Sequence, residues 1–160
     1  ILCFTADEAW EVLLGSDEET PLFHVWHEFP NPTVGAEEAL VAKWQAIRAF
    51  RAQVNKEIEA LRSADQLGSS LQAELAVTAG GELYQHLASL GDELKFVLMV
   101  SQVSLTEAAE TSISVTPSSH EKCDRCWHYR ADVGTHAGHG HVCGRCVDNI
   151  DGAGEARLHA

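Results

Sequence analysis

The spacing of apolar positions divides the chain into a helical first region, a middle stretch of mixed period and a short tail with no period. Ala9, Trp10, Leu13 and Leu14 share one stripe behind Thr5-Ala6-Asp7-Glu8. That tetrapeptide fits a capping box, in which a hydroxyl and a carboxylate satisfy free amides at a helix start, and Gly15 stops the run. Residues 1–14 are therefore expected to be an amphipathic helix. Pro21, Pro30, Pro32 and Gly35 surround Leu22-Phe23-His24-Val25-Trp26, so 16–35 reads as an irregular connection that lays its aromatics on the helices. From Ala36 to Ala64, Leu40, Trp44, Ile47, Val54, Ile58 and Leu61 recur at steps of three and four, with Arg51 interrupting the stripe. This predicts the longest helix, with one face buried and the other charged. Glu38, Lys43, Arg48, Arg51, Lys56 and Arg62 read as a solvated helix surface, with a basic edge against RNA as the alternative.

After Gly68-Ser69-Ser70 the period drops to two. Leu71, Ala73, Leu75 and Val77 then describe a half-buried strand, which Gly80 and Gly81 end. Glu82–Leu90 reads as a short helix, Lys95–Val103 as a second strand and Ile113–Val115 as a third. The fold class expected is α+β, mainly helical, in three regions: a helical segment over 1–66, a strand-helix-strand-strand junction with linker over 67–118, and a metal module over 119–160.

Composition narrows the class. No stretch reaches the roughly 18 apolar residues of a membrane span, so a soluble protein with no membrane partner is expected. The chain opens without Met or a basic leader and directly on a helical pattern, which predicts a piece of a larger protein. Net charge is −13, and it is uneven: 18 acidic against 6 basic side chains over 1–119, but 6 against 5 over 120–160, where six of the nine histidines also lie. Phosphate binding draws on Lys and Arg, so contact with a polyanion is expected at the tail and not over the whole surface.

Four of the five cysteines form two pairs, Cys123-Asp124-Arg125-Cys126 and Cys143-Gly144-Arg145-Cys146, sixteen residues apart. Paired thiols of this kind point to a reducing compartment and to one tetrahedral metal closed by two knuckles on a hairpin. Zinc is expected, with iron on the same ligands, a redox dithiol, or a histidine in place of one thiol as alternatives. Four thiolates leave no position for water, so the zinc is structural. Backbone amides, Arg125 and Arg145 offset its negative ligand charge. His136, His139 and His141 lie in the glycine-rich stretch 134–140 and its end, read as a mobile polar loop. Trp127 and Tyr129 either cover the metal core or stack on an unpaired base. Cys3 is expected to be a buried apolar thiol.

The tail also carries a recognisable pattern. Lys122-Cys-Asp-Arg-Cys-Trp-His-Tyr129, Asp132-Val133-Gly134, His141-Val-Cys-Gly-Arg-Cys-Val-Asp-Asn-Ile150 and Gly152-Ala-Gly-Glu-Ala-Arg157 resemble the carboxy-terminal zinc peptide of bacterial isoleucyl-tRNA synthetases. Phe4-Thr-Ala-Asp-Glu-Ala-Trp10 is similar to a helix of that family, and Arg51–Ala73 to the last helix of its anticodon-binding bundle and the strand after it. The resemblance is loose in 16–35 and 79–118. It implies that 1–66 ends a helical anticodon-binding domain, 67–118 is a small junction and 119–160 is the zinc finger. It also implies a monomeric, cytoplasmic, ATP-dependent class I ligase as parent and an isoleucine tRNA as partner. ATP and Mg2+ belong to a catalytic domain whose His-Ile-Gly-His and Lys-Met-Ser-Lys-Ser signatures this chain lacks, so no catalytic residue is expected here.

On chemical grounds the candidates for RNA contact are Arg125, Trp127, Arg130, Arg145 and Arg157, since guanidinium forks suit phosphates and an indole stacks on bases. Two rival readings are the finger that closes formamidopyrimidine-type DNA glycosylases, whose amino-terminal Pro-Glu nucleophile is missing here, and a zinc-ribbon adapter that binds only protein. The acidic balance of 1–119 mildly favours the adapter.

Overall fold

A computed structural model describes residues 2–29 and 37–159. The chain forms two compact units, Ile1–Glu37 and Glu38–Ala160. In the first, helix α1 spans Cys3–Leu14 and ends on Gly15, whose φ of 66° is the left-handed conformation glycine adopts freely. Its N-cap is Leu2, with no side-chain cap. The Thr5 capping box is therefore not formed, because the helix begins two residues before it. Cys3 is exposed, which corrects its reading as a buried thiol. The described residues of the connection hold one 3-10 turn, Pro21–Phe23, capped by Thr20. Within this unit Phe23 and Trp26 do not pack on α1, being 89% and 93% exposed, whereas the His24 ring meets that of Trp10 at 4.8 Å. Pro30, Pro32, Gly35 and Ala36 lie outside the described residues.

The second unit takes in all but the first residue of α2, Glu37–Ser63, which buries Ile47, Phe50, Val54 and Ile58. Phe50 widens the stripe beyond its expected members, while Leu40 remains half exposed. Arg51, the polar interruption, is half buried and donates from Nη2 to Met99 Sδ. Strand β1, Ala73–Ala79, alternates as expected, with Ala73, Leu75, Val77 and Ala79 inward. Gly80 follows it, where a Cβ would lie 2.3 Å from the carbonyl oxygen of Ala108, too close for any other residue. Helix α3 covers Gly81–Ala88.

The stretch expected as a second strand, Lys95–Val103, is instead the short helix α4, Leu94–Leu98, followed by β2, Gln102–Glu107. A continuous apolar run carries no period to arbitrate between the two. Here Leu94 and Leu98, four apart, meet the core on one helical face, and Met99 turns the chain with φ 58°. Strand β2 thus runs on past Val103, where the expected strand ended. Strand β3, Ser112–Pro117, pairs antiparallel with β1 while β2 pairs parallel, giving the order β2-β1-β3. One apolar cluster joins α2, the inward face of β1, and Leu87, Leu90, Leu94 and Leu98. The class is α+β, with a cluster of four cysteines in the tail. Among the described residues no helix is long and apolar enough to cross a membrane.

Candidate metal centre

The tail folds around its cysteines. A two-residue ladder joins β4, Glu121–Lys122, to β5, Tyr129–Arg130, and the first knuckle turns between them. Cys123 N donates to His128 O and Trp127 N to Cys123 O, each at 2.9 Å, which closes the turn. The turn puts Trp127 at φ 64°, a conformation that bulky residues rarely adopt. The second knuckle is not on a hairpin. Cys143 is the N-cap of helix α5, Gly144–Asp151, and Cys146 lies in its first turn, so Cys-x-x-Cys spacing here is helical spacing. Gly144 leaves room for two side chains, since a Cβ there would lie 2.9 Å from His136 Nε2 and 3.0 Å from Asp132 Oδ2 and would push them aside.

The four sulfurs lie within 4.8 Å of one another. Cys123 and Cys146 are 3.7 Å apart, as are Cys126 and Cys143. A zinc–sulfur bond of about 2.3 Å sets the edge of a tetrahedron at about 3.8 Å, so the donor set fits a zinc ion. Cys123, Cys143 and Cys146 are fully buried, with only Cys126, Val133 and Val142 packed on them. Donors face the sulfurs: Cys143 N reaches Cys123 Sγ at 3.4 Å and Arg125 Nη1 reaches Cys146 Sγ at 3.7 Å. Burial raises Cys126, yet hydrogen bonds from His128 and Arg145 outweigh it and bring its thiol down to about 5. Burial, together with the charge on Cys126, pushes Cys143 up to about 12, and burial likewise raises Cys146. Among the described residues these cysteines are the only group of three or more His, Cys, Asp or Glu suited to hold a metal.

Two of the three histidines of the intervening loop face carboxylates. His139 Nε2 lies 2.6 Å from Asp151 and His136 Nε2 lies 3.7 Å from Asp132. Asp132 accepts from Gly144 N at 2.8 Å and from Arg130 Nε at 3.1 Å. Burial works against its charge, but these two donors hold its carboxyl below the usual carboxylate range. Asp132 thereby ties the loop to the second knuckle.

The five candidates for RNA contact separate. Trp127 is 59% exposed on the first knuckle, with Lys122 Nζ 5.2 Å from its ring centroid, so it does not cover the metal core. Tyr129, in β5, is half buried. Arg125 is exposed beside Cys146. Arg130 is bonded to Asp132, while Arg145 and Arg157 share Glu155 at 3.0 and 2.8 Å. Both of these lie over Phe96 of α4, at 4.9 and 4.1 Å. Sequence reasoning missed Phe96, hidden in a run read as strand, and Glu155, visible only as one letter of the tail pattern.

Residues 121–149 match the family described as a zinc finger found in FPG and IleRS. All 160 residues are 70% identical to isoleucine–tRNA ligase of Chromobacterium violaceum, covering 17% of that protein. Identity is 53% with the isoleucine–tRNA ligase of Laribacter hongkongensis and 49% with that of Neisseria meningitidis serogroup A, over 16% and 17% of their lengths. The chain thus spans about one sixth of the curated relatives it matches. Along its full length it is similar to the carboxy-terminal portion of isoleucine–tRNA ligases, and its tail is a four-cysteine zinc finger of the kind found in FPG and IleRS.

Proposed function

We propose that this chain is the tRNA-holding end of an isoleucine–tRNA ligase, in which Cys123, Cys126, Cys143 and Cys146 hold one structural zinc. The observation that carries the reading is the identity along the whole chain. The finger family accommodates a glycosylase or a ligase, but the relatives match upstream of residue 121 as well, where a glycosylase or an isolated zinc ribbon would not. Bound to the four sulfurs, zinc would supply a cross-link with every coordination position filled, and so no reactive water. The cysteines give the tail the order its few apolar contacts do not.

In this reading 1–66 completes an anticodon-binding bundle, 67–118 joins it to the finger at 119–160, and the parent is a cytoplasmic monomer whose ATP and Mg2+ sites lie outside this chain. Trp127 and Arg125 face outward to stack on a base and to meet a phosphate. Arg130, Arg145 and Arg157 serve RNA more weakly, because an entering phosphate must compete with Asp132 or Glu155 for the same guanidinium donors. The test is zinc removal from the full-length ligase. Charging of tRNA should collapse while isoleucine-dependent ATP exchange persists; loss of both together refutes the docking role.

A further inference from the structure

Among the described residues the finger meets the α+β core at its root, where His120 Nε2 also lies 3.9 Å from Glu74 Oε1, and at Phe96. At its root, Tyr129 N donates to Ser101 Oγ at 2.6 Å, and that buried hydroxyl in turn donates to Leu71 O, so β5 hangs on the start of β2. The second attachment is built on Phe96. His128, beside Trp127, meets its ring edge-on at 5.5 Å and 82°, with its own Nδ1 3.2 Å from Cys126 O. Arg145, next to Cys146 on α5, lies over the same ring, and so does Arg157 from the tail. Each metal knuckle thus reaches Phe96 through one side chain.

The tail closes the circuit. Glu155 holds the two arginines together over one ring, offsetting their repulsion, and its amide donates to Asn149 Oδ1 at 3.3 Å. The Leu158 and His159 amides then donate to the two carboxylate oxygens of Glu93 at 2.7 and 2.6 Å, three residues before Phe96. We infer that Phe96, clasped by Arg145 and Arg157 and shut in by the tail that Glu93 holds, is a positioning residue that fixes the finger's bearing on the α+β core. The inference rests on the tRNA-holding reading, since the bearing decides what Trp127 and Arg125 meet. Phe96 is half buried and belongs to neither apolar cluster, so core packing does not account for it. What a ring at this place supplies is a π face for two guanidinium groups.

The experiment compares the zinc-loaded chain with F96L and F96Y by 15N relaxation and amide exchange. Leucine keeps apolar bulk without a π face, and tyrosine keeps the face. In the wild type, finger and β1 amides should share one rotational correlation time. F96L should keep zinc stoichiometry and β1 protection, while finger amides acquire faster local motion and the Leu158 and His159 amides exchange on the order of tenfold faster. F96Y should match the wild type. E155A, outside the core, should release the finger in the same way and serves if F96L fails to fold. A finger that stays rigid in F96L or in E155A overturns the clasp. Neither readout uses RNA, so failure of the docking reading shows separately: a freed finger with unchanged affinity for isoleucine tRNA would leave the clasp standing and refute the docking.

Discussion

Trp127 combines a left-handed backbone with an exposed indole. Its φ of 64° is unfavourable by about 1–2 kcal/mol for a residue with a Cβ, and its indole remains 59% exposed. Asn tolerates the left-handed conformation far better, so W127N separates the backbone from the ring. It should leave zinc content unchanged and stability within about 1 kcal/mol of the wild type, since relief of strain offsets the lost contact with Lys122. If the indole stacks on a base, affinity for isoleucine tRNA should fall by about 1–3 kcal/mol in a filter-binding assay at fixed salt. Equal affinity for W127N and wild type would remove Trp127 from the RNA surface.

At the scale of elements, the thiols come from a tight turn and from the head of a helix, and burial set against hydrogen bonding gives three of them different acidities. Cys126, at about 5, is already a thiolate at neutral pH; Cys143, near 12, and Cys146, also raised, are not. Zinc must therefore displace protons from the latter two. The sign follows: affinity rises with pH through the neutral range, by at least about a hundredfold per unit from two released protons, and is lost as pH falls. Competition with a chelator of known proton affinity between pH 6 and 8 measures the slope, and a flat profile would show that these thiols are already ionised. The ligand spacing was legible in the sequence because metal geometry is local to each knuckle. β1 was legible because its alternation survives with one covered face. Helix α4 was not, since Leu94–Leu98 lies in an unbroken apolar run whose helical turn is set by packing and by Met99. The cap of α1 was misread for a related reason: a capping-box pattern at Thr5 does not exclude a helix that has begun two residues earlier. Phe96 could not be found from sequence, because its partners are 32, 49 and 61 residues away along the chain.

At the scale of the whole molecule, the described residues of Glu38–Ala160 hold two separate clusters that share no residue. One has fourteen buried apolar residues and draws on the helices and the three-stranded sheet. The other is three buried cysteines with Cys126, Val133 and Val142 against them. Burial at roughly 25 cal/mol per Å2 can sustain the first, whereas so few side chains cannot offset about 1–2 kcal/mol of backbone ordering per residue over the tail. The finger's order then depends on its metal and the α+β core's does not. Chelation should therefore collapse the amide resonances of 121–151 to disordered positions while β1, β2 and β3 keep their exchange protection, and returning zinc should restore the finger. The contacts at Ser101 and Phe96 couple the two, so some loss of protection is expected at the start of β2 and in α4 but not at Val77 or Ile113. If chelation instead unfolds the sheet with the finger, the two clusters form one cooperative unit, and zinc stabilises the α+β core together with the tail.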